Sequence, residues 1–394
     1  MTSQLSDWLL QHYGQEQMRP GLDRIRNALL HLLPTLNQKK IVIIAGTNGK
    51  GETSLRLSGF LQDQKHVTWT SPHITRLTER FRSEEGEIAE NELEILINKC
   101  HGEVSASGIS LSYYEFLFLV FCTWAAERNP DYLLLEVGLG GRLDAVNVLD
   151  ADLVLVPSIS RDHQEFLGSR FDQILSEKLG TLRAKTTLIH FLEGQYLKER
   201  AFLQAQAVGA TVIALAESVR VSPSEFSQRN YLLATAAFCY LRNLPWRPEE
   251  WQTPVQPLEN RGEILRGQHQ WYLSGSHNVD GMRKLIQFLQ SGNYNFERPP
   301  FDAVIVAFSK RSFHDIKVMI KMLTKAQLGR VLVTTFDHPK AASAVEMEDL
   351  AREEGSTFVQ DIVSYVQGQN KNQRFLVTGS YYFLGHFKTL SSYH

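Results

Sequence analysis

Residues Ile41 to Ala45 form an unbroken apolar stretch that ends in Gly46-Thr47-Asn48-Gly49-Lys50-Gly51, and a helical pattern follows from Glu52 to Gln62. A strand that is apolar on both faces is buried on both, as in a parallel sheet covered by helices. The chain is thereby directed to an α/β fold. The turn has the layout of a phosphate cradle. Gly46, Gly49 and Gly51 let backbone N–H groups approach an anion, the helix points its positive end at it, and Lys50 adds a mobile charge. Taken alone, the segment also reads as a tight glycine turn between strand and helix.

The general phosphate-loop pattern asks for Gly-x-x-x-x-Gly-Lys followed directly by Ser or Thr. Here Ile44 stands in the place of the first glycine, and Gly51 follows the lysine. The variant Gly-Thr-Asn-Gly-Lys-Gly resembles instead the loop of the Mur-ligase superfamily, in the form used by folylpolyglutamate synthases and dihydrofolate synthases. That resemblance implies an ATP-dependent ligase joining L-glutamate to pteroate or folate carboxylates. It places Gly46, Thr47, Asn48, Gly49, Lys50, Gly51 and Thr53 around Mg-ATP, with Thr53 also a metal ligand.

At 394 residues the chain has material for about two domains. A formal charge of −2 gives no basic field for nucleic acid or an anionic membrane. The cysteines Cys100, Cys122 and Cys239 are widely spaced and fit reduced thiols better than disulfides or a zinc site. Met1 to Asp7 lack the features of a signal peptide, and the longest apolar run, Phe116 to Ala126, is too short to span a bilayer. The expectation is a cytoplasmic, monomeric enzyme acting on small molecules.

Further along, Pro72 holds Ser71 extended, so Ser71-Pro72-His73-Ile74 through Arg82 is expected to cross the top of the sheet as a loop. It resembles the family's Ser-Pro-His-Leu loop, which implies substrate contacts from Ser71, Pro72, His73 and Arg80. The apolar strand Tyr132 to Leu135 ends in Glu136 and the turn Gly138-Leu139-Gly140-Gly141-Arg142-Leu143-Asp144-Ala145-Val146-Asn147. An acid at the carboxyl end of a buried strand needs a cationic partner, and a magnesium ion on ATP phosphates suits it. This segment matches the family's Glu-Val-Gly-Leu-Gly-Gly-Arg-Leu-Asp-Ala-Thr-Asn except at Val146, and the match is the most particular in the chain.

Asp162-His163 followed by Leu167-Gly168 is similar to the segment whose histidine binds a second metal ion, and Glu177-Lys178-Leu179-Gly180 to one whose lysine is carbamylated. Read from the residues alone, His163 is a surface or core histidine and Lys178 a helix C-terminal cation. The resemblance assigns His163 to metal and catalysis, and Lys178 to catalysis as a carbamate that helps hold two ions. It also gives Asn230 to the adenine ring, though a helix cap is an equal reading. Arg261, Ser274 and His277 are assigned to the nucleotide from the domain border and the second domain.

The resemblance implies a P-loop, Mur-ligase-like domain over residues 1–264, with a mainly parallel sheet, and a smaller Rossmann-like α/β domain over residues 265–394. Three departures bear on activity. Glu52 stands where the family has Ser or Thr, Ser274 replaces an Asp, and Ser309-Lys310-Arg311 lacks the acids of Asp-Lys-Asp. Glu52 can bind the metal directly, yet it also sets a negative charge beside the triphosphate, which is expected to weaken ATP binding unless Thr53 takes over. A same-chemistry ligase for another carboxylate or amine, and a non-catalytic ATP- or folate-binding relative, are the alternatives these changes leave open.

Overall fold

A computed structural model of the chain describes residues 2–15, 19–215, 226–247, 261–291 and 301–390. They fall into two compact units, one of residues 2–215 with 227–247 and one of residues 261–390. In the first, β1 (Lys40–Ile44), β2 (His66–Trp69), β3 (Phe81–Ser83), β4 (Gly86–Glu87), β5 (Tyr132–Glu136), β6 (Leu153–Val156), β7 (Thr187–His190) and β8 (Thr211–Ala214) form one sheet. Its order is β4-β3-β2-β5-β1-β6-β7-β8. From β2 to β8 all neighbours are parallel, and the β3–β4 hairpin adds an antiparallel edge.

The apolar run at Ile41 thus becomes the middle strand, bonded to β5 on one side and β6 on the other. The chain leaves β1 toward β2 and later returns past it to β6. The strand order reverses there, which in open sheets puts the ligand crevice at the carboxyl ends of these strands.

The helix Tyr113–Arg128 starts from a reciprocal cap in which Ser112 Oγ accepts from Glu115 N and Glu115 Oε2 accepts from Ser112 N. Phe116, Phe118, Phe121 and Trp124 on it are fully buried against Leu9, Ile25, Leu29 and the sheet. Truncating any of these rings to Ala costs about 3–5 kcal/mol.

The second unit carries β9 (Arg261–Arg266), β10 (Gln270–Ser274), β11 (Ala303–Ala307), β12 (Arg330–Val333), β13 (Thr357–Phe358) and β14 (Arg374–Gly379), in the order β13-β12-β11-β14-β10-β9. Only the β9–β10 pair is antiparallel. The helices Val279–Ser291, Phe313–Ala326 and Ala344–Glu353 pack apolar stripes on it, with Met282, Leu285, Met319, Ile320, Met347 and Leu350 buried.

Two expectations change. The first domain does not extend to Ile264, because β9 already pairs with β10; the prolines at 254 and 257 lie outside the described residues, as do Glu259 and Asn260. The loop expected through Arg82 becomes a 3-10 turn, Leu77–Arg80, running into β3. Edge strands this short and charged carry no apolar run to announce them.

Candidate functional site

The turn after β1 is clamped by the residues after β6. Thr47 N donates to Ser158 O (2.9 Å), Asn48 N to Ser158 Oγ (3.0 Å), and the Ser158 hydroxyl donates back to Asn48 O (2.8 Å). Thr47 Oγ1 donates to Ser160 O and accepts from Ser160 N. Gly46 lies against Pro157, where a Cβ would come within 2.9 Å of the ring. Gly49 takes a left-handed φ of 91° and opens the helix Lys50–Phe60, while Lys50 Nζ folds back to Thr47 O at 3.1 Å.

Lys178 reaches the same turn from the helix Phe171–Leu179. The glycine turn after β5 seats that helix end: Arg142 N donates to Glu177 O at 2.8 Å, and a Cβ on Gly141 would sit 2.9 Å from the carbonyls of Glu177 and Lys178. Lys178 is buried, with Nζ donating to Gly46 O at 2.9 Å. Burial lowers its pKa from 10.5 to about 7, Lys50 pushes the same way, and Asp162, Asp144 and Glu177 oppose it.

Beneath the glycine turn a polar network replaces what would be an apolar floor. Tyr114 Oη accepts from Trp69 Nε1 and Gly138 N and donates to Asp144 Oδ1 (3.1 Å). Asp144 also accepts from Leu139 N and Val146 N. Burial raises the Asp144 carboxyl to about 6, against the pull of these donors.

Glu136 ends β5 beside Ile44 of β1, and its Oε2 accepts from Ser71 N at 3.0 Å. It is buried, as are Thr53 and Ser71, whose hydroxyls have no hydrogen-bond partner. Thr53 lies in the first turns of the loop helix and Ser71 follows β2, so both belong to the same end of the sheet as Glu136. Two orphaned hydroxyls and a carboxylate are hard oxygen donors, a set that fits a magnesium-like ion.

The loop beyond Pro72 is built around Glu79. Its carboxylate accepts from the amides of Ile74, Thr75 and Arg76 and from Thr75 Oγ1. Burial pushes its pKa up, but these donors win and hold it below the ordinary value. Arg80 departs from expectation. It is fully buried, donates to His73 Nδ1 at 2.9 Å, and lies 5.9 Å from the Trp69 and Tyr113 ring centres. It therefore orients His73 instead of facing substrate, and the half-buried His73 is the exposed part of that pair.

No protein-family model matches the chain. The dihydrofolate synthase/folylpolyglutamate synthase of Bacillus subtilis is 24% identical over 93% of this chain and 94% of its own length. The Escherichia coli protein of the same name is 35% identical over a segment covering 48% of this chain and 45% of its own. Mycobacterium tuberculosis folylpolyglutamate synthase, solved with ADP and AMPPCP, matches with a TM-score of 0.82 and 19% identity over 99% of this chain and 98% of its own. A bifunctional folylpolyglutamate synthase/dihydrofolate synthase solved with Mn, AMPPNP and L-glutamate gives 0.79 and 23% over 98% and 97%. The chain is similar to these synthases over most of its length.

Lys50, Glu136 and Lys178 lie at one end of the first sheet. His163, at the left-handed φ of 49°, is half-exposed beside Asp162 and Glu165, both 3.8 Å or more away. Among the described residues no three His, Cys, Asp or Glu side chains gather to hold a metal ion. A Glu136 site must draw its other donors from hydroxyls, water or phosphate. Asn230 does not cap its helix. Its Nδ2 donates to Glu52 Oε2 at 2.8 Å, and Glu52 Oε1 is held by Arg56 at 2.7 Å. The charge expected to face the triphosphate is thus paired.

In the second unit Ser274 Oγ bonds Ser276 Oγ, and His277 Nδ1 bonds Gly275 O. Arg261 lies in β9, and its side chain falls outside the described residues. Sequence reasoning missed Ser158, Ser160, Tyr114 and Asp144 as supports. The small polar residues directly after the β6 strand were the available signal for the first two.

Proposed function

We propose that the chain is an ATP-dependent ligase that joins the amino group of L-glutamate to the carboxylate of dihydropteroate or a reduced folate. The observation that carries this is Lys178, buried against Gly46 and near-neutral beside Lys50. A lysine so desolvated is poised for chemistry or anion binding at the phosphate loop, which a plain structural turn does not need. The kinship with the synthases supplies the substrate class.

Loop amides and Lys50 bind the triphosphate, while Ser158 and Ser160 keep the turn from moving as charge shifts. The acceptor carboxylate attacks the γ-phosphorus, giving an acyl phosphate and ADP; the amine of glutamate then displaces phosphate to leave the amide. Glu136 and Thr53 would hold a divalent cation, which when bound would supply charge neutralisation on the phosphates. Neutral Lys178 can add carbon dioxide, releasing a proton and becoming a carbamate; His163 with that carbamate is the proposed second ion site. Ser71, Pro72 and His73 are proposed to face the acceptor.

Phosphate release with Mg-ATP, glutamate and either dihydropteroate or tetrahydrofolate tests the reading. Turnover dependent on all components, with carboxylate oxygen transferred into phosphate, is expected. Nucleotide binding with no phosphate release under any of these acceptors rejects it.

A further inference from the structure

Glu52, Arg56 and Asn230 form a connected group directly behind the phosphate loop. Arg56 donates from Nε (3.0 Å) and Nη2 (2.7 Å) to Glu52 Oε1, and Asn230 Nδ2 donates to Glu52 Oε2 at 2.8 Å. Glu52 is 3% exposed and Asn230 4%. The Asn230 carboxamide lies flat against Gly49, so that a Cβ there would come within 2.8 Å of Nδ2 and closer still to Oδ1. One end of this amide is committed to Glu52 and the other is covered by the loop. Arg56 is further packed over the Tyr231 ring at 5.8 Å, on the same helix as Asn230.

We infer that Glu52, Arg56 and Asn230 act as one buried strut that sets the position of the phosphate loop, with Asn230 supporting Gly49 instead of reading the nucleotide base. The carboxylate at position 52 is then neither a metal ligand nor an uncompensated charge beside the triphosphate. It is the link between the loop helix and the helix Phe226–Leu241. Arg56 is a positioning residue, since it makes that carboxylate tolerable. The inference rests on the ligase reading only for the identity of the ligand.

The test measures dissociation constants for non-hydrolysable ATP and GTP analogues with magnesium by calorimetry, and hydrogen exchange of amides 46–51 in the free protein. Asn230→Ala is expected to weaken both nucleotides about tenfold while their ratio stays within about threefold of the wild-type ratio. A ratio that collapses in Asn230→Ala, or affinities that do not change, overturns the proposal. Arg56→Ala is expected to weaken both analogues about tenfold, Arg56→Lys less, and the double variant Glu52→Gln/Arg56→Ala is expected to recover to within about threefold. A double variant no better than Arg56→Ala overturns the charge-pairing role. Exchange at 46–51 is expected to speed up about tenfold in Asn230→Ala and Arg56→Ala. Unchanged protection rejects the strut even if the wild-type chain binds no nucleotide, an outcome that separately rejects the ligase reading.

Discussion

Lys178→Met should make the free protein more stable while removing its activity. In the folded chain burial first, then Lys50, brings the amine to about 7 from 10.5. Because the folded pKa lies below the unfolded one, the unfolded state binds more protons between these values and stability rises with pH across that window. Below about pH 7 the buried ammonium costs the fold about 5 kcal/mol, at about 1.4 kcal/mol per pH unit. Against this, Met gives up the bond from Nζ to Gly46 O and leaves that carbonyl unpaired, a loss of about 2 kcal/mol. The variant should therefore gain about 3 kcal/mol at pH 6, and the gain should vanish near pH 9. Urea denaturation in carbonate-free buffer at several pH values, followed by a probe in the first unit, measures this. A stability difference that does not vary with pH, or a less stable variant at pH 6, would refute the argument. Nucleotide-dependent phosphate release should be lost at every pH.

Gly141→Ala forces a Cβ onto the carbonyls of Glu177 and Lys178 at a φ of 156°; a loss of about 1–3 kcal/mol in urea midpoints, with Lys178 displaced from Gly46, is expected. Tyr114→Phe strips the hydroxyl shared by Trp69, Gly138 and Asp144, which should cost about 1–3 kcal/mol and is checked by thermal unfolding. Glu136→Gln keeps an acceptor for Ser71 N but drops the charge. Half-maximal magnesium for turnover should rise about tenfold while stability changes by less than about 1 kcal/mol; unchanged metal dependence counts against the site. Glu52→Thr, which supplies the hydroxyl found in the loops this one resembles, should give no gain in rate because it breaks the bonds to Arg56 and Asn230.

The strand, loop and helix around Lys50 were legible because burial on both faces and glycine punctuation are local properties. The apolar run Phe116 to Ala126 was legible too, and it lies within the buried helix Tyr113–Arg128. Lys178 was visible through its motif, yet nothing in the motif says that its amine meets Gly46, a residue distant in sequence. The Ser158 clamp and the Tyr114–Asp144 floor are likewise tertiary contacts without a local pattern. The resemblance gave Arg80 to the substrate, whereas here its guanidinium is buried between His73 and the Trp69 and Tyr113 rings, a tertiary setting no local pattern announces. Glu52 was read as a repulsive charge although Arg56 stands at the i+4 position that pairs on a helix, a signal available from spacing alone.

The central position of β1 has a kinetic consequence. With β5 bonded along one side and β6 along the other, neither edge of this strand can fray into water, so its amides exchange only when the sheet itself opens. The turn from Gly46 to Gly51 is thereby anchored at one end on a strand that opens only with the sheet.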